Sequence, residues 1–134
     1  MLAATCLALN VYFEARSEAS VLSQFAVAQV TMNRVQSDKY PDTLCGVVWQ
    51  RKQFSWTHDG KSDKPHEKEA WVRAKWVAKV TLDNPEKNVG LLPTNALNYH
   101  ADYVQPAWSK SKSLTRITKI GKHYFYKVEK QNED

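Results

Sequence analysis

Asn10-Val11-Tyr12-Phe13-Glu14-Ala15-Arg16-Ser17-Glu18, followed by the apolar run from Phe25 to Val35, is the stretch on which the reading of this chain turns. Glu14 lies inside a largely apolar helical pattern. An isolated buried charge is costly, so a glutamate in such a setting is either paired or tuned for proton transfer. Glu18 follows at a spacing of one helical turn.

The pattern predicts a first helix over about Ala3 to Arg16. Leu2, Cys6, Leu9 and Phe13 make one buried stripe, and Leu7, Asn10, Val11 and Glu14 an adjacent one. A second helix, about Leu22 to Gln36, is apolar nearly all round and is therefore central. Its polar residues Gln24, Gln29, Asn33 and Arg34 need partners; Asn33 and Arg34 are expected to reach Glu14 or Glu18 across a helix–helix contact. Asp42 or Thr43 caps a short helix from Leu44 to Gln50, and Arg51 to Asp63 reads as an irregular functional loop. A fourth helix, capped by Asp63 with Pro65 in its first turn, runs to Asn84-Pro85. Ala96 to His100 is a short strand or extended segment. Leu114 to Ile120 and His123 to Val128 form a β-hairpin about Gly121-Lys122. The expected architecture is α+β and mainly helical: one domain over residues 1–134, with a core from about 3 to 128 and a frayed tail from 129.

The chain of 134 residues is 43% hydrophobic and 25% charged, values typical of one globular domain. Its net charge of +5 and pI of about 9.2 favour anionic partners such as envelope polymers. No Lys/Arg run resembles a nucleic-acid arm, and no segment reaches the ~18 apolar residues of a membrane span. Met1 to Leu9 lacks the basic start of a signal peptide and reads as helix. Cys6 and Cys45 are too few for a zinc motif; two buried thiols are the expectation, with a single bridge left open for an oxidising compartment. A monomer without cofactor is expected.

Glu14 and Glu18, read as helical neighbours, have a spacing compatible with the ~5 Å carboxyl separation of retaining glycosidases. From pattern alone, pairing of both with Arg16, Arg34 or Lys at the surface is the simpler reading. His58, Asp59, His66, His100, Asp102 and His123 lack compact metal-ligand spacing. Phe54, Trp56, Tyr99, His100, Tyr103 and Trp108 are candidates to line a sugar groove.

The blocks Asn10-x-x-x-Glu14-Ala-Arg-x-Glu18, Gln24-x-Ala26-Val-Ala-x-Val30-x-x-Asn33-Arg34, Tyr40-Pro-Asp-Thr43, Gly46-Val47 and Gln53-Phe54-Ser55 are followed by Ala96-Leu-Asn-Tyr99-His100, Pro106-x-Trp108 and Ile120-Gly-x-His123-x-Phe125-Tyr126. In that order they resemble the cell wall hydrolases of the spore-cortex-lytic type. The resemblance implies a lysozyme-like, lytic-transglycosylase-related domain that cleaves the β-1,4 bond between N-acetylmuramic acid and N-acetylglucosamine in peptidoglycan. It places the catalytic acid on Glu14 and cleft positions on Glu18, Phe54, Ser55, Tyr99 and His100; Asn33, Trp56, Trp108 and His123 join them as supporting or substrate-binding candidates. No metal is expected, from the spacing given above. Ser17 and Ser23 stand where the family commonly has Gly; Ser17 bears on the turn after the first helix and so on the aim of Glu18, and neither is expected to touch Glu14. A bare basic catalytic domain of this kind resembles a phage endolysin, made in the host cytoplasm and reaching the wall through a holin-made hole; a fragment of a larger protein would look the same. A hydrolysing muramidase, a metal-dependent peptidoglycan peptidase and a non-catalytic envelope-binding module are the competing readings.

Overall fold

A computed structural model describes residues 1–18, 20–50, 54–84 and 92–129, except for the Ser55 side chain. Four helices come first: α1 (Ala3–Ala15), α2 (Val21–Gln36), α3 (Leu44–Val48) and α4 (Lys68–Asp83). Three strands follow, β1 (Ala96–Ala101), β2 (Leu114–Ile120) and β3 (His123–Val128), in the antiparallel order β1-β3-β2. The hairpin has the expected bounds; that β1 adds to its β3 edge was not foreseen. The tail residues 130–134 lie outside the described residues, as do Arg51 to Gln53 of the loop.

α2 is the central element, as its all-round apolar pattern requires. One side meets α1 and α4 through Phe25 and Ala28, packed with Leu7, Val11, Tyr12, Ala74 and Val77. The other meets the sheet through Ala26, Val27 and Val30, packed with Ala96 and Phe125. A third cluster joins α1 to α3 and to the turn Ser55–Thr57 through Cys6, Leu9, Val47, Phe54 and Trp56.

The polar side chains of α2 are partnered differently from the expectation. Asn33 donates to the Pro93 and Ala96 carbonyls, each at 3.0 Å, and Arg34 Nε donates to the Leu97 carbonyl at 2.8 Å. Gln29 donates to the Leu92 carbonyl. These bonds latch the approach to β1 against the helix, each worth about 1 kcal/mol net. Among the described residues neither Asn33 nor Arg34 hydrogen-bonds a glutamate; their bonds go to the carbonyls of Pro93, Ala96 and Leu97.

Two further expectations are corrected. Cys6 and Cys45 form a disulfide rather than two thiols. Packing α3 on the start of α1 brings their Cα atoms to 5.3 Å across 39 residues of sequence, within bridging range. Of the two expected caps of α3, it is Thr43 that serves, by accepting from the Gly46 N–H. α4 begins at Lys68, so Asp63 and Pro65 precede it. The Glu67 N–H donates to the Tyr12 hydroxyl at 3.0 Å, which ties the entry to α4 onto α1 and leaves 58–66 to run along a cleft.

Candidate active site

The last turn of α1 opens into a cleft of about 740 Å³. Tyr12, Phe13 and Glu14 of α1, with Arg16 just past its end, form its floor and one edge. Trp56 and the segment from Asp59 to Glu67 form a second wall, and Tyr99 to Val104 with His123 a third. Phe13 stacks on Trp56 with ring centres 4.8 Å apart. Trp56 Nε1–H donates to Asn10 Oδ1 at 2.9 Å, and the Asn10 amide donates to Thr31 Oγ1, so fully buried Asn10 locks the Trp56 wall to α1 and α2.

Glu14 opens onto this cleft while the surrounding protein removes most of its hydration. That burial raises its pKa above the ordinary carboxylate value. The Tyr99 hydrogen bond and the positive charge of Arg34 offset part of the rise. Tyr99 Oη–H donates to Glu14 Oε1 at 2.6 Å. Burial, and then the Glu14 charge, push the Tyr99 phenol well above its usual range, so it remains a donor. Phe54 stacks behind Tyr99, and the Arg34 guanidinium lies over Phe54 at 5.0 Å. The reach from α1 to β1 spans 85 residues. It exists because α2 latches β1 in place through Asn33 and Arg34.

Glu18 is built into a different site. α1 ends at Ala15, so Glu18 is not on the helix and the carboxylate pair expected at helical spacing does not form. Glu18 is 4% exposed and turned toward the β2–β3 hairpin. Its Oε1 accepts from the Lys122 N–H at 2.9 Å and lies 2.7 Å from His123 Nδ1; Oε2 is 3.2 Å from the same N–H. The hairpin turn has Gly121 at φ +59°, and a Cβ there would collide with the Glu18 carboxylate and Ser23 Oγ. Ser23 thus bears on Glu18 and the turn.

The other residues singled out by sequence separate into three groups. Trp56, Tyr99, His100 and His123 border the cleft with Glu14. Asn33 and Phe54 are buried behind it and support its walls. The Ser55 side chain lies outside the described residues. Trp108 faces elsewhere: it packs edge-on against His100 and Tyr126 and borders a separate groove with Tyr40 and Asn98. His100 spends both ring nitrogens inside the protein, Nδ1 on the Ala101 carbonyl at 2.8 Å and Nε2 on the Tyr126 hydroxyl at 2.7 Å. Tyr12, Phe13, Lys61 and Lys64 line the cleft without having been singled out. Their signal in the sequence was only position, on the Glu14 turn or in the loop before α4. Among the described residues no group of three His, Cys, Asp or Glu side chains is disposed to hold a metal ion. No described helix is long and apolar enough to cross a membrane.

The Cell Wall Hydrolase family model matches residues 18–126, starting just past Glu14. A spore cortex-lytic enzyme of Bacillus cereus is 36% identical over 119 residues, which are 87% of this chain and 41% of that protein. One of Halalkalibacterium halodurans is 31% identical over 121 residues, 89% of this chain and 33% of that protein. The chain thus spans about two-fifths or less of the length of these curated relatives. Among solved structures, the catalytic domain of the germination-specific lytic transglycosylase SleB from Bacillus anthracis superposes with a TM-score of 0.70 at 32% identity, covering 93% of both chains. The catalytic domain of Bacillus cereus SleB gives 0.65 at 32% identity, covering 93% of this chain and 90% of that one. This α+β, mainly helical fold is therefore that of the SleB catalytic domains, and the chain belongs to the Cell Wall Hydrolase family.

Proposed function

We propose that this chain cleaves the glycan strands of peptidoglycan at the N-acetylmuramic acid–β-1,4–N-acetylglucosamine bond, as a lytic transglycosylase with Glu14 as its acid and base. The observation that carries this reading is the Glu14–Tyr99 pair: a carboxyl with a raised pKa, opening onto the cleft and held by a phenol that stays protonated. The solved relatives described as lytic transglycosylase domains support it.

Glu14 in its acid form donates its proton to the glycosidic oxygen, and the C1–O bond of the muramoyl residue breaks. Positive charge develops at C1. The Glu14 carboxylate then takes the proton from that sugar's own 6-hydroxyl, O6 closes on C1, and a 1,6-anhydro end results. The nucleophile is internal, so one carboxylate suffices. The cleft favours this over a hydrolysing muramidase because its other carboxylates are engaged. Glu67 is paired with Arg16 at 3.6 Å, and Asp59 accepts from the Lys61 N–H at 2.9 Å. Glu18 is committed to the hairpin. Tyr99 keeps Oε1 aimed.

The test is the mass of the fragments released from purified peptidoglycan. Anhydro ends, lighter by one water than reducing ends, are expected; reducing ends would make the enzyme a muramidase, and cut peptides with intact glycan would end the reading. We further propose that the chain works outside the reducing cytoplasm, as a phage endolysin released to the wall through a holin-made hole, binding wall polymers as a monomer with its net positive charge. The Cys6–Cys45 bridge supports an oxidising compartment. Free-thiol titration should find both cysteines blocked in protein recovered from the periplasm and reactive in protein unfolded from the cytoplasm; free thiols in both would remove this support.

A further inference from the structure

Glu18 and His123 form a buried pair for which the Glu14 chemistry has no use. Glu18 Oε1 accepts from both the Lys122 N–H and His123 Nδ1. A carboxylate offers no proton, so the proton of that contact sits on Nδ1. The tautomer of the ring is thereby set: in the neutral imidazole, Nε2 carries a lone pair and no hydrogen. The ring is clamped as well, edge-on to Tyr99 with centres 5.5 Å apart and tilted against Phe125 at 6.3 Å. His123 borders the cleft, and its Nε2 has no protein partner among the described residues. Nε2 is not among the polar atoms sealed from solvent without a partner, whereas Ser23 Oγ and Arg34 Nη1 are. In that neutral form it is an acceptor that no described residue uses.

We propose that His123 Nε2 accepts a hydrogen bond from a hydroxyl or acetamido N–H of the glycan bound beside Glu14, and that Glu18 is the positioning residue that sets its tautomer and aim. This rests on the glycan-cleaving reading of the cleft. It gives the two glutamates separate tasks: Glu14 moves the proton, and Glu18 acts on substrate only through the imidazole. The hairpin turn belongs to the same device. Gly121 lets the Lys122 N–H approach the carboxylate, and nothing larger fits. The contact is present with substrate bound and needs no change at the transition state, so its loss raises KM more than it lowers kcat.

His123→Asn keeps a donor for Glu18 and removes the nitrogen that faces the cleft. With soluble N-acetylmuramic acid–N-acetylglucosamine oligomers, its KM should rise roughly tenfold with kcat within about twofold, at unchanged melting temperature. Glu18→Gln should show part of the same loss, and the double variant should be no worse than His123→Asn alone. The direct readout is a long-range proton–nitrogen spectrum of labelled Glu14→Gln protein, which binds without turnover. Nε2 should be unprotonated in the free protein and should shift on adding the oligomer, together with the Tyr99 amide. A Tyr99 amide that moves while Nε2 stays still, or His123→Asn with wild-type KM, overturns the inference and leaves the function standing. If neither resonance moves and the wild type releases no fragments, the function falls, and the inference falls with it.

Discussion

Glu14 and Glu18 are four residues apart in one acidic motif, yet the fold treats them as opposites. Glu14 ends a helix and opens onto a cleft. It receives one neutral hydrogen bond, from Tyr99, and burial raises its pKa. Glu18 has left the helix and is enclosed by the hairpin, with a backbone N–H and an imidazole on its carboxylate. The contrast is one of burial and engagement: burial keeps the Glu14 pKa raised where the group opens onto the cleft, whereas the Glu18 carboxylate is held by donors of the hairpin. Residue type and spacing are the same in both; the end of α1 at Ala15 makes the difference.

The largest expected effect comes from breaking the Glu14 side of that contrast. Glu14→Gln should lower kcat by about 10³-fold, the usual worth of a positioned acid, with polymer binding retained. Fragment release from purified walls measures it. On the other side, Gly121→Ala should cost about 2 kcal/mol of stability in urea unfolding, since it forces a left-handed residue and pushes into the Glu18 carboxylate. An unchanged midpoint would mean that the Glu18 niche is not as tight as described.

Tyr99→Phe sharpens the comparison from between the two. It removes the Tyr99 hydrogen bond, which favours ionised Glu14, so the Glu14 pKa should rise further. Because Glu14 must begin protonated, activity is lost as pH rises through that pKa. The alkaline limb of the kcat profile should therefore move to higher pH, with kcat down about tenfold because the carboxyl is no longer aimed. The smallest effect is on stability. Glu14 has a folded pKa above its unfolded one, so the unfolded state releases its proton first as pH rises. The stability that the protonated group allows is present below the unfolded pKa and is lost through the folded pKa. Glu14→Gln should remove that dependence and melt at neutral pH no lower than wild type, by up to about 2 °C higher.

Much of the fold was legible because its signals are local. α2 announced its central position by being apolar all round, and the hairpin announced itself through alternation about Gly121-Lys122. What was not legible is tertiary. Asn33 and Arg34 were visibly in need of partners, but backbone carbonyls of residues 93–97 carry no mark in a sequence. The Cys6–Cys45 bridge depends on how α3 lies on α1. Of the site, the position of Glu14 on a packed turn could be read directly. Tyr99 was a groove candidate, but its bond to Glu14 was not legible, since 85 residues separate them. The loop to Asp63 was legible as functional, but its continuation through Lys64 and His66 was hidden by reading Asp63 and Pro65 as the start of α4, when Tyr12 holds that start at Glu67.

The separation of the two glutamates is tested most directly by digesting purified peptidoglycan with Glu14→Gln and Glu18→Gln side by side and measuring the released ends by mass. The expected result is no release by Glu14→Gln and slower release by Glu18→Gln, with anhydro ends unchanged. Near-normal release by Glu14→Gln, or a folded Glu18→Gln that binds glycan and releases nothing, would contradict the assignment of the proton to Glu14 alone.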